Sequence, residues 1–231
     1  MDSLSTGRVA QTLQRLFAQA AQADHALMAE FRDIDLSDAQ QAEAVAHHFA
    51  EERRDVRGFY HGYVDNYLNV TAAYGRFLYQ CARSRNAKCI VEFGTSMGIS
   101  TIHLAAALRD MGGGRLIGTE LEPSKAARAQ ANLEAAGLAE LVEIRVGDAR
   151  ETLTDVGEVD MVLLDGAFSL YLPVLKLLEP GLKVGTPILA ENAIDQENEF
   201  LDYVRNPQNG YVSQPIPISD GRGNEFVVRT R

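Results

Sequence analysis

One run constrains this chain more than any other: Cys89-Ile90-Val91-Glu92-Phe93-Gly94-Thr95-Ser96-Met97-Gly98-Ile99-Ser100-Thr101. An apolar, β-branched stretch ends in an acid. Two glycines come next, and an apolar-periodic segment begins at Ile102-His103-Leu104. The pattern predicts a buried strand, a tight glycine turn and a helix. Such a turn lets a ligand approach the backbone and points free helix N–H groups at it. The chain beyond the turn reads as a sheet built around it, and the chain before it as a helical cover.

After Thr101, strand and helix patterns alternate. Residues 115–120 predict a second strand. Pro123 opens a helix that Gly137 closes, and residues 142–146 predict a third strand before Gly147-Asp148. Residues 160–165 read as a buried strand, 171–178 as a helix and 186–190 as a strand running into Glu191-Asn192. A helix near 199–205 precedes strands near 212–218 and 225–229, joined by a glycine-rich turn that includes Ser219-Asp220-Gly221. The implied class is α/β: a mostly parallel seven-stranded sheet with an antiparallel C-terminal hairpin.

Upstream, residues 4–32 carry apolar positions at helical spacing, among them Leu4, Val9, Leu13, Leu16 and Phe17, continued by Leu27, Met28 and Phe31. Ser37 is a predicted N-cap for a helix reaching about Arg54, whose Glu51-Glu52-Arg53-Arg54 run reads as a solvated face. Residues 58–68 are rich in aromatics (Phe59, Tyr60, Tyr63, Tyr67) and read either as a docking surface or as one wall of a substrate pocket. A helix over 71–82 leads to the hinge strand. The division is a helical cover over 1–69 and a ligand-binding domain over 70–231. The first helix has more apolar surface than an extension needs, which predicts a homodimer that uses it.

The net charge of −10 argues against a nucleic-acid partner, since phosphate binding needs clustered Lys and Arg. The two cysteines, Cys81 and Cys89, read as free buried thiols without zinc spacing. No basic region and apolar core follow Asp2, and no run approaches the roughly 18 apolar residues of a membrane span. The expected compartment is the cytoplasm, with no membrane partner.

Glu92, Glu120, Asp148, Asp165 and Glu191 each fall at or just past the end of a predicted strand. In an open α/β sheet, ligands bind outside those ends, where strand order reverses. The glycine pattern fails the dinucleotide fingerprint, because Ser96 and Ile99 stand where its second and third glycines belong. An acid suited to ribose hydroxyls is present as Glu120. The ligand implied carries adenosine without a pyrophosphate.

At this point residues 70–231 resemble the class I S-adenosylmethionine-dependent methyltransferases, specifically the small O-methyltransferases of the catechol and caffeoyl-CoA type. The resemblance rests on residues 91–100, Thr119-Glu120-Leu121-Glu122-Pro123, Gly147-Asp148-Ala149, Leu164-Asp165-Gly166 and Glu191-Asn192, with Tyr74-Gly75-Arg76-Phe77-Leu78 also similar. It implies a Rossmann-like fold with S-adenosyl-L-methionine as cofactor. Glu92, Gly94, Thr95, Ser96 and Gly98 would hold its methionine part, with Ser100 beside them. Glu120 would bind the ribose, Leu121 would line the adenine pocket, and Asp148 and Ala149 would sit at the adenine edge. Asp165 would face both the cofactor and the chemistry. In the metal-using branch, Asp165, Glu191 and Asn192 occupy the positions that bind magnesium or another divalent cation, and their oxygen-only donors suit such an ion.

Two residues depart from that pattern. Phe168 stands where the family has a catalytic lysine, and Glu191 replaces an aspartate. The missing lysine moves the search for a base to the cover, where His61 is one candidate beside His47, His48 and Tyr60. The expected activity is methyl transfer to a hydroxyl of a small molecule, assisted by a divalent metal. The alternatives are a metal-independent N-, C- or O-methyltransferase and a catalytically inactive cofactor-binding protein.

Overall fold

The central strands are apolar on both faces, and that decides the layering. In β1 (Cys89–Phe93), Ile90 packs into one core and Val91 into the other. Leu116 and Ile117 of β2 (Arg115–Glu120) divide in the same way, as do Met161 and Val162 of β4 (Met161–Leu164). Alternate side chains of a strand point to opposite faces, so a strand apolar throughout must be covered twice. One cover is α1 (Gly7–Ala23), α5 (Ala72–Arg85), α6 (Ile99–Asp110) and α7 (Pro123–Ala136). The other is α8 (Ala149–Thr152), α9 (Tyr171–Leu178) and α10 (Glu199–Arg205). The computed structural model describes residues 2–32, 38–193, 198–218 and 223–231.

The sheet order is β3-β2-β1-β4-β5-β7-β6, with β3 at Val142–Val146, β5 at Pro187–Ala190, β6 at Tyr211–Pro215 and β7 at Glu225–Arg229. The first five strands are parallel, and β7 runs antiparallel between β5 and β6. The mostly parallel seven-stranded sheet with its C-terminal antiparallel pair therefore stands as expected. From β1 the chain moves outward to β2 and β3, then returns to β4 on the other side of β1. Strand order reverses between β1 and β4, where a crevice opens at their C-terminal ends.

The N-terminal region differs from expectation in two places. The helix predicted over residues 4–32 breaks at Asp24 into α1 and α2 (His25–Arg32). The Asp24 carboxylate accepts from the Tyr67 N–H (2.8 Å), the Leu68 N–H (3.0 Å) and Asn66 Nδ2 (3.1 Å), so it anchors a distant loop. The apolar face assigned to a dimer contact is used inside the protomer. Val9, Leu13, Leu16 and Ala20 are buried in the same core as α6.

Downstream lie α3 (Asp38–Arg54) and α4 (Val56–His61). Within α3, Glu52 is fully buried, so the run read as a solvated face is solvated only in part. Phe49, also buried, is one helical turn earlier on the same face. The predicted Ser37 cap and the Ser219-Asp220-Gly221 turn lie outside the described residues. Among the described residues no helix is long and apolar enough to cross a membrane.

Candidate active site

The crevice is set by backbone geometry first. Gly94 follows β1 with φ +98°, a conformation that favours glycine. A Cβ there would lie 2.2 Å from the Asp165 carbonyl oxygen, so the turn after β1 and the end of β4 can meet only at a glycine. The Asp165 N–H donates to the Phe93 carbonyl at 2.8 Å, holding the two strand ends together. Gly98 (φ +86°) then caps α6.

The turn's donors point inward. The Gly94 and Thr95 N–H groups donate to the Thr119 carbonyl at 3.2 and 2.9 Å, and the Ser96 N–H donates to Glu120 Oε2 at 2.7 Å. The expected cradle of free N–H groups is thus partly engaged by β2. What these residues offer a ligand is close approach and a pre-set carboxylate. Glu120 also accepts from the Glu122 N–H at 2.9 Å. Burial pushes its carboxyl above the usual range, opposed by these N–H groups and the nearby Lys125.

Around this unit lies a cavity of about 580 Å³, within the range of small-molecule sites. Gly94, Ser96, Glu120, Leu121, Asp148, Ala149 and Asp165 line it. Asp148 also caps α8 through the Arg150 N–H, and the Arg150 guanidinium holds its carboxyl below the usual range. Thr95 and Ser100 instead line an adjoining niche with Gly94, Ser96, Met97 and Asp165. Leu68 closes both spaces with φ +46°, and the neighbouring Tyr67 carbonyl accepts from Ser96 Oγ at 2.7 Å. Asp24, by anchoring that loop, shapes this niche from a distance.

Glu92 lines neither space. It lies fully buried under the turn and accepts from Thr101 Oγ1 (2.5 Å) and Thr95 Oγ1 (3.2 Å). Burial pushes its carboxyl up to about 7. His61 stands on the rim, exposed and 2.9 Å from Glu122, and does not line the cavity. His47 is exposed on α3, while His48 packs edge-on to Phe59.

Asp165 lines both cavity and niche, but the other two expected metal ligands sit differently. Glu191 is 1% exposed and lines neither space. Its charge acts on two buried phenols, Tyr74 and Tyr171, whose pKa values are raised by burial and then by Glu191 and Asp165. The Asn192 N–H donates to Asn224 Oδ1 at 3.1 Å, and its φ is +54°. Among the described residues no three His, Cys, Asp or Glu side chains cluster, and the expected set contains only two of those types beside Asn192. The oxygen donors of Asp165, Glu191 and Asn192 suit a hard cation, and Glu191 would have to turn its carboxylate toward the crevice to hold one beside Asp165.

Three positions in and around the cavity escaped the sequence reading. Lys125 is 4% exposed, lines the cavity and stands 3.5 Å from Ser96 Oγ. It is the buried counter-charge to Glu120, and only its helical spacing from Pro123 could have turned it inward. Asp24 carried no signal beyond its position between two apolar stretches. Glu52, opposite the Phe168 turn, was hidden in a charged run, and its spacing from Phe49 was the available clue.

A model described as a methyltransferase domain matches residues 91–193. The chain is similar to a catechol O-methyltransferase of Niastella koreensis, 36% identical over 140 residues, covering 58% of this chain and 62% of that protein. It thus spans less than two thirds of that relative. The similarity to the catechol O-methyltransferase of Sus scrofa is 32% identity over 147 residues, covering 60% of this chain and 78% of that protein. In fold it is similar to the O-methyltransferase TomG of Streptomyces achromogenes, solved in complex with SAM. There the TM-score is 0.65 at 24% identity, covering 89% of this chain and 96% of that one.

Proposed function

The chain belongs to the class I S-adenosylmethionine-dependent methyltransferases of the small O-methyltransferase type, and on that premise we propose that it methylates a hydroxyl of a small, catechol-like molecule. The observation that carries the reading is Glu120, a buried carboxylate held by the Ser96 and Glu122 N–H groups at the mouth of the β1–β4 crevice. Its remaining lone pairs suit two adjacent ribose hydroxyls.

S-adenosylmethionine supplies, when bound, a methyl group on a positively charged sulfur. Leu121 and Ala149 would border the base. Gly94, Thr95 and Ser96 would border the methionine end, with Asp165 between the two. Tyr60, which lines the cavity within electrostatic reach of Asp165, would border the acceptor. Methyl transfer is an in-line displacement, so holding the nucleophile in line supplies much of the rate. No step is assigned to a metal, given the placement of Glu191.

Titration calorimetry with S-adenosylmethionine tests the first half of the proposal, and the absence of binding heat would sink it. Incubation with catechol and cofactor, then mass spectrometry for the methyl ether, tests the second. A protein that binds cofactor but leaves catechol unchanged removes the acceptor reading alone.

A further inference from the structure

Glu52 is the most deeply buried charge of the N-terminal helices, at 0% exposure. Its carboxylate accepts from the Ser169 N–H (2.7 Å), the Phe168 N–H (3.2 Å) and Tyr60 Oη (2.8 Å). His48 Nε2 stands 3.7 Å away. Burying a carboxylate is strongly unfavourable unless its lone pairs are filled. Here burial pushes the carboxyl up, but the nearby His48 and the hydrogen bonds from Ser169 and Tyr60 outweigh it and hold the group below the usual range. The two backbone bonds dock α3 onto the Phe168 turn. The bond to Tyr60 does something else.

A phenol has one proton. Tyr60 donates it to Glu52, so its oxygen has only lone pairs left to offer. Tyr60 lines the cavity together with Ser169, Leu170 and Asp165. We propose that Glu52 and Tyr60 form an acceptor-recognition pair, in which Glu52 fixes the Tyr60 hydroxyl as a hydrogen-bond acceptor that receives the O–H of the methyl acceptor. The inference rests on the methyltransferase reading above. Tyr60 is the group that touches the acceptor, and Glu52 is the positioning residue behind it. The pair selects acceptors that present a hydroxyl and gives an ether at the same position no bond.

The pair also supplies a route for the proton. As the new O–CH3 bond forms, the S–CH3 bond breaks and its electron pair stays on sulfur. The hydroxyl proton passes to Tyr60 Oη while the Tyr60 proton passes to Glu52. An oxygen gaining a methyl group becomes a far stronger acid than a carboxyl, so a carboxylate of low basicity still takes the proton. After product release Glu52 returns it to water through Tyr60.

A double-mutant cycle on the full chain tests the pair, with Y60F, E52Q and the double variant. The readouts are catechol methylation kinetics, calorimetric Kd for S-adenosylmethionine and melting temperature. Glu52→Gln keeps the side-chain shape and an acceptor for Ser169 but turns an amide N–H2 toward Tyr60, reversing that bond, and toward the Phe168 N–H, losing that one. Y60F is expected to lower kcat/KM for catechol by about 100-fold, the lower end of what a positioned proton acceptor contributes, with cofactor Kd within about twofold. E52Q is expected to cost as much in the wild-type background and less than about twofold in the Y60F background, because Glu52 acts through Tyr60. If E52Q costs the same in both backgrounds, Glu52 is only a tether and the inference is overturned. Should E52Q fail to fold, Y60F decides alone: catechol kinetics within twofold of wild type overturn the inference. A wild-type chain that binds cofactor but does not methylate catechol fails the acceptor reading and takes this inference with it. A chain that does not bind cofactor fails the methyltransferase reading itself.

Discussion

The Ser96 N–H donates to Glu120 Oε2 at 2.7 Å, so the turn after β1 and the acid that ends β2 form one rigid unit. Glu120 therefore has two tasks, fixing the turn and presenting lone pairs to a ribose. Glu120→Ala removes both. Hydrogen bonds to a charged group contribute about 1.5–3 kcal/mol each, so the cofactor Kd should rise roughly 100-fold. Calorimetry measures this directly, and a change of less than threefold would move the ribose site elsewhere.

Gly94 meets the Asp165 backbone too closely for any side chain. Gly94→Ala adds a Cβ where φ is +98° and the carbonyl oxygen would be 2.2 Å away. The end of β1 or of β4 must then move. A loss of about 3 kcal/mol or more is expected from combined clash and backbone strain. The melting temperature should fall by several degrees and cofactor binding should disappear. Gly98→Ala would meet Ala129 no closer than 3.3 Å at its Cβ and 3.4 Å at its Cα, although its φ of +86° is still unfavourable. It should cost less, which separates crevice closure from backbone strain.

How much of this was legible in the sequence depends on where the information resides. The hinge strand, its glycine turn and the row of strand-end acids are local patterns, and Gly94, Glu120, Asp148 and Asp165, which they single out, line the crevice. Glu52 and Asp24 were not legible, because their meaning comes from contacts with Ser169 and Leu68 far along the chain. A charged residue on a helix reads as solvated until something covers it. Glu92 and Glu191 were readable as strand-end acids, but their burial was not, since only packing turns one acid into the cavity and its neighbour beneath the sheet edge.

His61 offers a simple check on the rim. Its side chain is 69% exposed, and its contact with Glu122 at 2.9 Å crosses from α4 to the start of α7. An exposed pair of this kind contributes about 1 kcal/mol at most. His61→Ala should leave catechol turnover within about threefold of wild type. A loss of a hundredfold would make His61 the missing base and would count against Tyr60.

Metal dependence is a separate question with its own outcome. Glu191 is buried beside Tyr74 and Tyr171 and lines neither space. Turnover measured with EDTA, then with added magnesium, should be the same within about twofold. Activity that vanishes in EDTA and returns with magnesium would show that Glu191 turns outward on ligand binding.

Glu92 makes stability depend on pH in a direction that can be stated in advance. Burial pushes its carboxyl up to about 7 in the folded chain, against an ordinary value of 4.5. Between those values the unfolded chain has already lost the proton that the folded chain retains. The folded state binds more protons there, so this group makes stability fall as pH rises from 4.5 to about 7, with no further change above. The span corresponds to about 3 kcal/mol. Glu92→Gln retains an acceptor for Thr95 and Thr101 but has no proton to lose, so its contribution to the slope should vanish. Urea midpoints at pH 5, 6, 7 and 8 give the comparison. Wild type should lose stability relative to the variant across pH 5 to 7 and run parallel to it at pH 8. Curves parallel throughout would mean that Glu92 keeps one protonation state over the whole range, and the buried hydroxyls of Thr95 and Thr101 would then be enough to hold it ionised.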